Sequence, residues 1–175
     1  QILGPVYESL QKVWQTVEIE INSVTDNPVI DWENEKFIHG GNFHGDFISY
    51  SADSLKISLA KLTMLSERRI NFFLHERINK IFPPFLNLNK PGLNLGLQGL
   101  QFVATSTTAQ SQTLCFPQYI HSIPTNADNQ DVVSMGTDSA LIASKVIDNA
   151  FSVLLIEMIT LCQAVDILKI RDKLS

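Results

Sequence analysis

Charge is scarce in this sequence of 175 residues. Asp, Glu, Lys and Arg supply only 18% of it, below the usual quarter, while apolar residues supply 45%. A globular chain with so little charge is expected to have much of its surface covered by other protein. The charges sum to −5, and no run of Lys or Arg interleaves with aromatic side chains, so nucleic acid is not an expected partner. Cysteine is nearly missing as well. Cys115 and Cys162 stand in dissimilar contexts without metal-ligand spacing, which points to a reduced, cytoplasmic setting rather than a disulfide framework. The most apolar run, residues 153–159, is short and interrupted by Glu157, so no membrane span is expected. At the start, Gln1-Ile2-Leu3-Gly4-Pro5 has no basic region, no cleavage pattern and no initiator Met. It reads as a chain cut from inside something larger.

The common catalytic signatures are absent too. His75-Glu76-Arg77-Ile78-Asn79 opens like a zinc-protease helix but lacks the second His, so no metal site is expected. No Gly-x-Ser-x-Gly elbow, phosphate-cradling glycine loop or Cys/His pair takes its place.

What is present is mostly helix, within the size range of a single domain. Val6, Leu10, Val13, Trp14, Val17 and Ile21 share one face of a first helix that Pro5 can open. Asp26-Asn27-Pro28 ends that helix region, because the residue before proline leaves the α conformation. Val29-Ile30-Asp31-Trp32 and Lys36-Phe37-Ile38 flank Glu33-Asn34-Glu35 as a small β-hairpin. A long helix is predicted from Asp46 to about Phe82, apolar on more than one face and stopped by Pro83-Pro84. Residues 87–99 form a loop, residues 98–114 a helix rich in small uncharged side chains, and residues 115–135 an irregular stretch.

Beyond it Ala140, Ala143, Ile147, Ala150, Leu154, Glu157, Leu161, Ala164 and Leu168 alternate spacings of three and four, the seam of left-handed bundle packing. A helix over residues 137–169 is about 50 Å long at 1.5 Å per residue. A compact chain of this length is only about 40 Å across. The expected fold class is therefore all-α, long antiparallel helices in a bundle with one hairpin near residues 29–38, favouring an oligomer.

Two segments carry candidate chemistry. In Ile38-His39-Gly40-Gly41-Asn42-Phe43-His44-Gly45-Asp46, a glycine pair hands the chain to the long helix and places an amide, a ring and an imidazole together. Such pairs permit positive φ and close backbone approach. A helix entry capped by Asp46 or Asn42, with Phe43 as a staple, is the plain alternative. In Asn126-Ala127-Asp128-Asn129-Gln130-Asp131, amides and acids precede an apolar patch and a helix start, where a polar ligand group could bind. Segments of this kind also hydrogen-bond their own backbone readily.

Four ordered motifs join these segments. They are Glu20-Ile21-Asn22-Ser23-Val24-Thr25-Asp26-Asn27-Pro28, His39-Gly40-Gly41-Asn42-Phe43-His44, Leu65-Ser66-Glu67-Arg68-Arg69 and Asn129-Gln130-Asp131-Val132-Val133-Ser134-Met135. In order and spacing the chain resembles the aromatic amino acid ammonia-lyases and related aminomutases, over residues 1–175, as one helical piece from the central-to-C-terminal part of their subunit. The resemblance implies elimination of ammonia from an α-amino acid, on a methylidene-imidazolone electrophile that forms from Ala-Ser-Gly. That tripeptide does not occur here, since Ala143-Ser144 is followed by Lys145. The family's Tyr-x-x-Arg-Cys stretch and its N-terminal catalytic Tyr are likewise not in these residues, so the piece alone is expected to be inactive.

Carried over by position, the resemblance assigns Phe43 and Gln130 to catalysis, and Phe43, Asn126, Asn129 and Gln130 to binding a small amino acid substrate. It also implies a homotetramer with sites assembled from more than one subunit. Gln130 stands where typical histidine enzymes carry Glu. A carboxylate pairs with an imidazole N–H, whereas an ionised Glu opposite a phenyl or phenol ring would be buried without a partner. Tyrosine is therefore expected ahead of phenylalanine, with histidine third. A non-catalytic helical oligomerisation module is the competing reading, though such a scaffold needs neither the Gly-Gly-Asn-Phe loop nor the amide cluster.

Overall fold

In a computed structural model, which describes residues 1–90 and 92–173, the order of elements is α1 (Leu3–Ile21), β1 (Val29–Asp31), β2 (Lys36–Ile38), α2 (Asp46–Leu74), α3 (Glu76–Asn79), α4 (Gln98–Leu114) and α5 (Gly136–Leu168). Short 3-10 turns sit at Pro84–Leu86 and Arg171–Lys173. The fold is all-α with one hairpin. In that hairpin Val29, Ile30 and Asp31 pair antiparallel with Ile38, Phe37 and Lys36. Its turn is held by Asp31, whose carboxylate accepts from the Asn34 backbone at 3.1 Å and from Asn34 Nδ2 at 2.8 Å. Those bonds from Asn34 hold the Asp31 carboxyl below its ordinary value. Pro91, which belongs to the loop read over residues 87–99, lies outside the described residues.

The chain groups into two compact units, each made of two separate segments. Gln1–Ser58 with Cys115–Lys145 forms one, and Leu59–Leu114 with Val146–Ser175 the other. In the first unit α1 opposes α2, Ser58 Oγ donating to Ser9 Oγ at 2.8 Å. The start of α5 lies beside the start of α2 and runs the same way, with Ser139 Oγ donating to Ser49 O at 3.1 Å. The irregular stretch after α4 carries the chain back to make that parallel pair. Asp53 is the hub of this unit. Its carboxylate meets Lys56 Nζ at 2.6 Å, Ser139 Oγ at 2.8 Å and the Tyr119 N–H at 2.8 Å. Lys56, fully buried, also donates to Phe116 O at 3.2 Å. Burial pushes the Asp53 carboxyl up, but Lys56, the Tyr119 N–H, Ser139 and the Gln118 N–H together hold it below its ordinary value. Burial likewise raises the Cys115 thiol, against the pull of Lys56, and its Sγ donates to Lys56 O at 3.1 Å.

In the second unit Ile70, Leu74, Phe82, Leu86, Ala104, Val153, Ile156 and Ala164 make the apolar core. α4 runs antiparallel to α2 here. Thr105 Oγ1 donates to Glu67 at 3.3 Å, and Gln101 Nε2 to Asn71 Oδ1 at 3.0 Å. Of the small uncharged side chains over residues 105–112, Thr108 and Ser111 are buried, with Ala104 one turn before Thr108, while Thr105, Ser106 and Ala109 are exposed. Glu157, which breaks the apolar run, is also buried and takes a hydrogen bond from Ser66 and one from Arg69 Nη1 at 3.1 Å.

Three expectations need correction. The long helix does not reach Phe82. It stops at Leu74, and His75 is extended at φ −105°, ψ 92°. Asn79 explains the break. Its buried amide donates to Phe72 O, Phe73 O and His75 O at 2.9, 3.1 and 2.9 Å, satisfying carbonyls that further helix would have used. Its Oδ1 accepts from the N–H groups of Ile81 and Phe82, each at 2.8 Å.

The seam of α5 is shifted in part from the one read above. Ala143, Ala150, Glu157 and Ala164 are buried as read, Ser139, Val146, Asn149, Val153, Ile156 and Thr160 join them, and Ala140, Leu161 and Leu168 are exposed. In α1 only Val6 of the expected face is buried, and Trp14 and Ile21 are exposed. In α5 the buried seam mixes Val146, Val153 and Ile156 with small and polar side chains, and Leu141, Phe151, Leu155 and Met158 face outward. By length and composition α5 could cross a membrane, at a mean hydropathy of 1.9 over 18 residues. Its buried Asn149, Glu157 and Thr160 each have a hydrogen-bond partner within the second unit.

Candidate functional site

The site grows from the segment joining β2 to α2. Gly40 N donates to Asn27 Oδ1 at 3.3 Å, and Asn42 Nδ2 to Val24 O at 3.3 Å, so the loop is pinned to the chain after α1. His44 N closes a turn on Gly41 O at 3.3 Å. The glycine pair is not where conformational freedom is used. A β-carbon on Gly40 or Gly41 would meet nothing within 4 Å, and neither is left-handed. Gly45 is, at φ +83°, and it faces Ser134 Oγ 3.5 Å from where its own β-carbon would lie. At that crossing a β-carbon on Gly136 would stand 3.3 Å from Gly45 O. Glycine at both positions lets the starts of α2 and α5 approach closely.

Phe43 and His44 line a cavity of about 630 Å³ at this crossing, with Ile21 and Thr25 on one side and Ile48 and Ala140 on the other. The volume is that of a small-molecule site. Two helix N-termini border it through Gly45, Gly136 and Thr137, and their unpaired N–H groups favour an anionic group there. Phe43, 46% exposed, offers an aromatic face to the space. The cavity thus combines an apolar wall with two helix N-termini, and Glu20 supplies one lining carboxylate.

Asn126, Asn129 and Gln130 do not line this cavity. They sit on a tight loop closed by Thr125 and Gln130, whose backbones pair at 3.0 and 3.3 Å. Asn126, Ala127 and Asp128 are all left-handed, at φ +55°, +53° and +63°. Asn and Asp tolerate that region through short polar side chains, and Ala127 pays about 1 kcal/mol or more for it. Among the described residues the side chains of Asn126, Asn129 and Gln130 make no hydrogen bond, and all three are exposed. The loop therefore presents three unengaged amides.

One residue missed by the sequence reading connects the two halves. His44 Nε2 lies 2.7 Å from Val132 O, two residues beyond Gln130, and since a carbonyl only accepts, Nε2 carries the hydrogen. His44 O accepts from Ser134 Oγ at 2.7 Å. Its Nδ1 stands 3.0 Å from Asp46 Oδ2 without the alignment of a hydrogen bond. The Asp53–Lys56 pair was missed as well. Two opposite charges three residues apart on an otherwise apolar or small-residue seam were its signal.

Residues 1–175 match the family described as aromatic amino acid lyase from end to end, and the chain belongs to that family. It is 39% identical over all 175 residues to a tyrosine ammonia-lyase of Cupriavidus metallidurans, covering 33% of that protein. It is 41% identical over the same length to histidine ammonia-lyase 1 of Fusobacterium nucleatum, covering 34% of it. The crystal structure of tyrosine aminomutase from Streptomyces globisporus superposes with a TM-score of 0.92 at 40% identity, over 100% of this chain and 33% of that one. The chain spans about a third of the length of the curated relatives it matches.

Proposed function

We propose that this chain is the part of an ammonia-lyase subunit that walls the substrate pocket, and that the whole protein eliminates ammonia from an aromatic L-amino acid to give a trans-cinnamic-type acid. The observation that carries the reading is Phe43 on the cavity at the crossing of α2 and α5, in a member of this family. The ring stacks beside a planar substrate side chain, and the helix N-termini favour its carboxylate.

Tyrosine is the preferred substrate, then phenylalanine. Identity does not separate the candidates, at 39% to a tyrosine enzyme and 41% to a histidine enzyme. The choice rests on Gln130, whose neutral amide suits a phenol or phenyl ring better than an imidazole. The methylidene-imidazolone electrophile, which supplies the acceptor for the substrate in this chemistry, comes from another part of the protein. The one Ala-Ser step that comes near the required tripeptide, Ala143-Ser144, lies inside α5 and is followed by Lys145, so these residues do not fit its formation. The piece by itself is inactive. The exposed bulky residues of α1 and α5, Trp14, Ile21, Phe151 and Leu155 among them, support burial against further protein in a homotetramer.

The parent reading frame gives the first test. Ala-Ser-Gly upstream and Tyr-x-x-Arg-Cys just before Gln1 are expected, and their absence favours a non-catalytic helical module. With the full-length protein, product absorbance from tyrosine, phenylalanine and histidine then ranks the substrates. Gln130→Glu is expected to lower the tyrosine-to-histidine ratio of kcat/KM about tenfold, some 1.4 kcal/mol of transition-state discrimination. An unchanged ratio removes the tyrosine assignment.

A further inference from the structure

We propose that His44 is a positioning residue that sets the amide loop against the Phe43 wall, and so fixes which amino acid side chain the pocket accepts. The inference deepens the function proposed above and rests on it. Its basis is how sparsely the amide loop is tied down. Among the described residues, every hydrogen bond made by residues 120–133 stays within residues 115–135 except one, from His44 Nε2 to Val132 O at 2.7 Å. Ser122 joins Asp131 and Val133, and Thr125 joins Gln130, so the segment is internally braced. Its ends are fixed through Phe116, Tyr119 and Ser134, and between them residues 120–133 are held from outside by hydrogen bonding at one point. That point is two residues from Gln130 and belongs to the residue next to Phe43.

The same residue is gripped from the other side, since its own carbonyl accepts from Ser134 Oγ at 2.7 Å. Gly45 and Gly136 keep the crossing close enough for both bonds. His44 therefore transmits the position of the Gly-Gly-Asn-Phe loop to the three amides through one N–H bond. Rotation of the ring away from Val132 leaves Gln130 held through Thr125 within its own loop and through Ser134 beyond it.

The test uses the full-length protein with His44→Phe, which keeps a ring and loses the donor, and His44→Gln, whose amide N–H can still reach a carbonyl. His44→Phe is expected to raise KM for the preferred amino acid about fivefold or more and to flatten the tyrosine-to-histidine ratio, while His44→Gln stays within about threefold of wild type. A general folding defect would lower apparent kcat and leave KM and the ratio alone. Gln130→Glu should change the ratio less in the His44→Phe background than in wild type, the non-additivity of residues acting through one another. If His44→Phe does not fold, His44→Asn, a polar side chain too short to span the gap, takes its place in the same measurements.

Unchanged KM and ratio in these variants overturn the proposal. A wild-type protein that releases no ammonia from tyrosine, phenylalanine or histidine overturns the function above instead. Hydrogen exchange then still decides the role of His44. Amides 126–133 should exchange faster in the variant than in wild type, and equal rates remove the tether.

Discussion

At the scale of single residues, buried polar side chains decide where elements stop and what they hold. Asn79 satisfies three carbonyls and two N–H groups at the end of α2. Asn79→Ala removes the side-chain partner of Phe72 O, Phe73 O and the Ile81 and Phe82 N–H groups, while His75 O keeps its bonds from the Ile78 and Asn79 N–H groups. The change is expected to destabilise the protein by about 2–3 kcal/mol, measured by denaturant unfolding. Asn79→Asp, which keeps only the acceptor half, should fail to restore it. Gly96 is a second fixed point. It is left-handed at φ +54°, and a β-carbon there would run into the Phe85 carbonyl. Gly96→Ala is expected to cost about 1–3 kcal/mol in the same assay. Neither effect was legible in the sequence. Asn79 stood in a segment whose apolar spacing continued past it, so periodicity extended the helix to Phe82 while a side chain three residues earlier was ending it.

At the scale of elements, what could be read was element type, and what could not was which face is buried. The hairpin and the helix at residues 98–114 fell where spacing and turn residues put them, because both signals are local. The seam of α5 was read through Ala143, Ala150, Glu157 and Ala164, which are buried, and also through Leu161 and Leu168, which are exposed. The face of α1 was read through Trp14 and Ile21, which lie outside. Hydrophobicity marks all surfaces that a helix covers, in this chain or beyond it, and it does not rank them. The candidate site divided the same way. Phe43, named through a resemblance, lines the cavity and Gln130, named the same way, does not, whereas the contact of His44 needed the distance to Val132. The Asp53–Lys56 pair ties α2 to the stretch after α4, and removing the cation strands a buried carboxylate. Lys56→Met is expected to destabilise by about 3–5 kcal/mol, and Asp53→Asn/Lys56→Met together by less than the single change. A thermal melt of the three variants checks the order.

For the whole molecule, the hub at Asp53 sets a pH dependence. Its carboxyl lies below 3.8 in the folded chain and returns to that value on unfolding. At neutral pH both states are ionised, and its contribution to stability is fully present. As pH falls below about 5 the unfolded chain begins to take up the proton first, and the contribution is lost as pH drops through the folded-state value. The midpoint of thermal unfolding should therefore fall more steeply between pH 5 and pH 3 in wild type than in Asp53→Asn.

The division of the chain also bears on how it is made. Ser139 finds Ser49 across 90 positions, and Ser66 finds Glu157 across 91. Each compact unit needs a stretch of α5 to close, so neither can finish while only the first four helices exist. At about 5–20 residues per second, a ribosome takes roughly 5–20 s to cover that interval. For that time α2 waits on the nascent chain with Ser66 and Arg69 lacking Glu157 and with its seam toward α5 open.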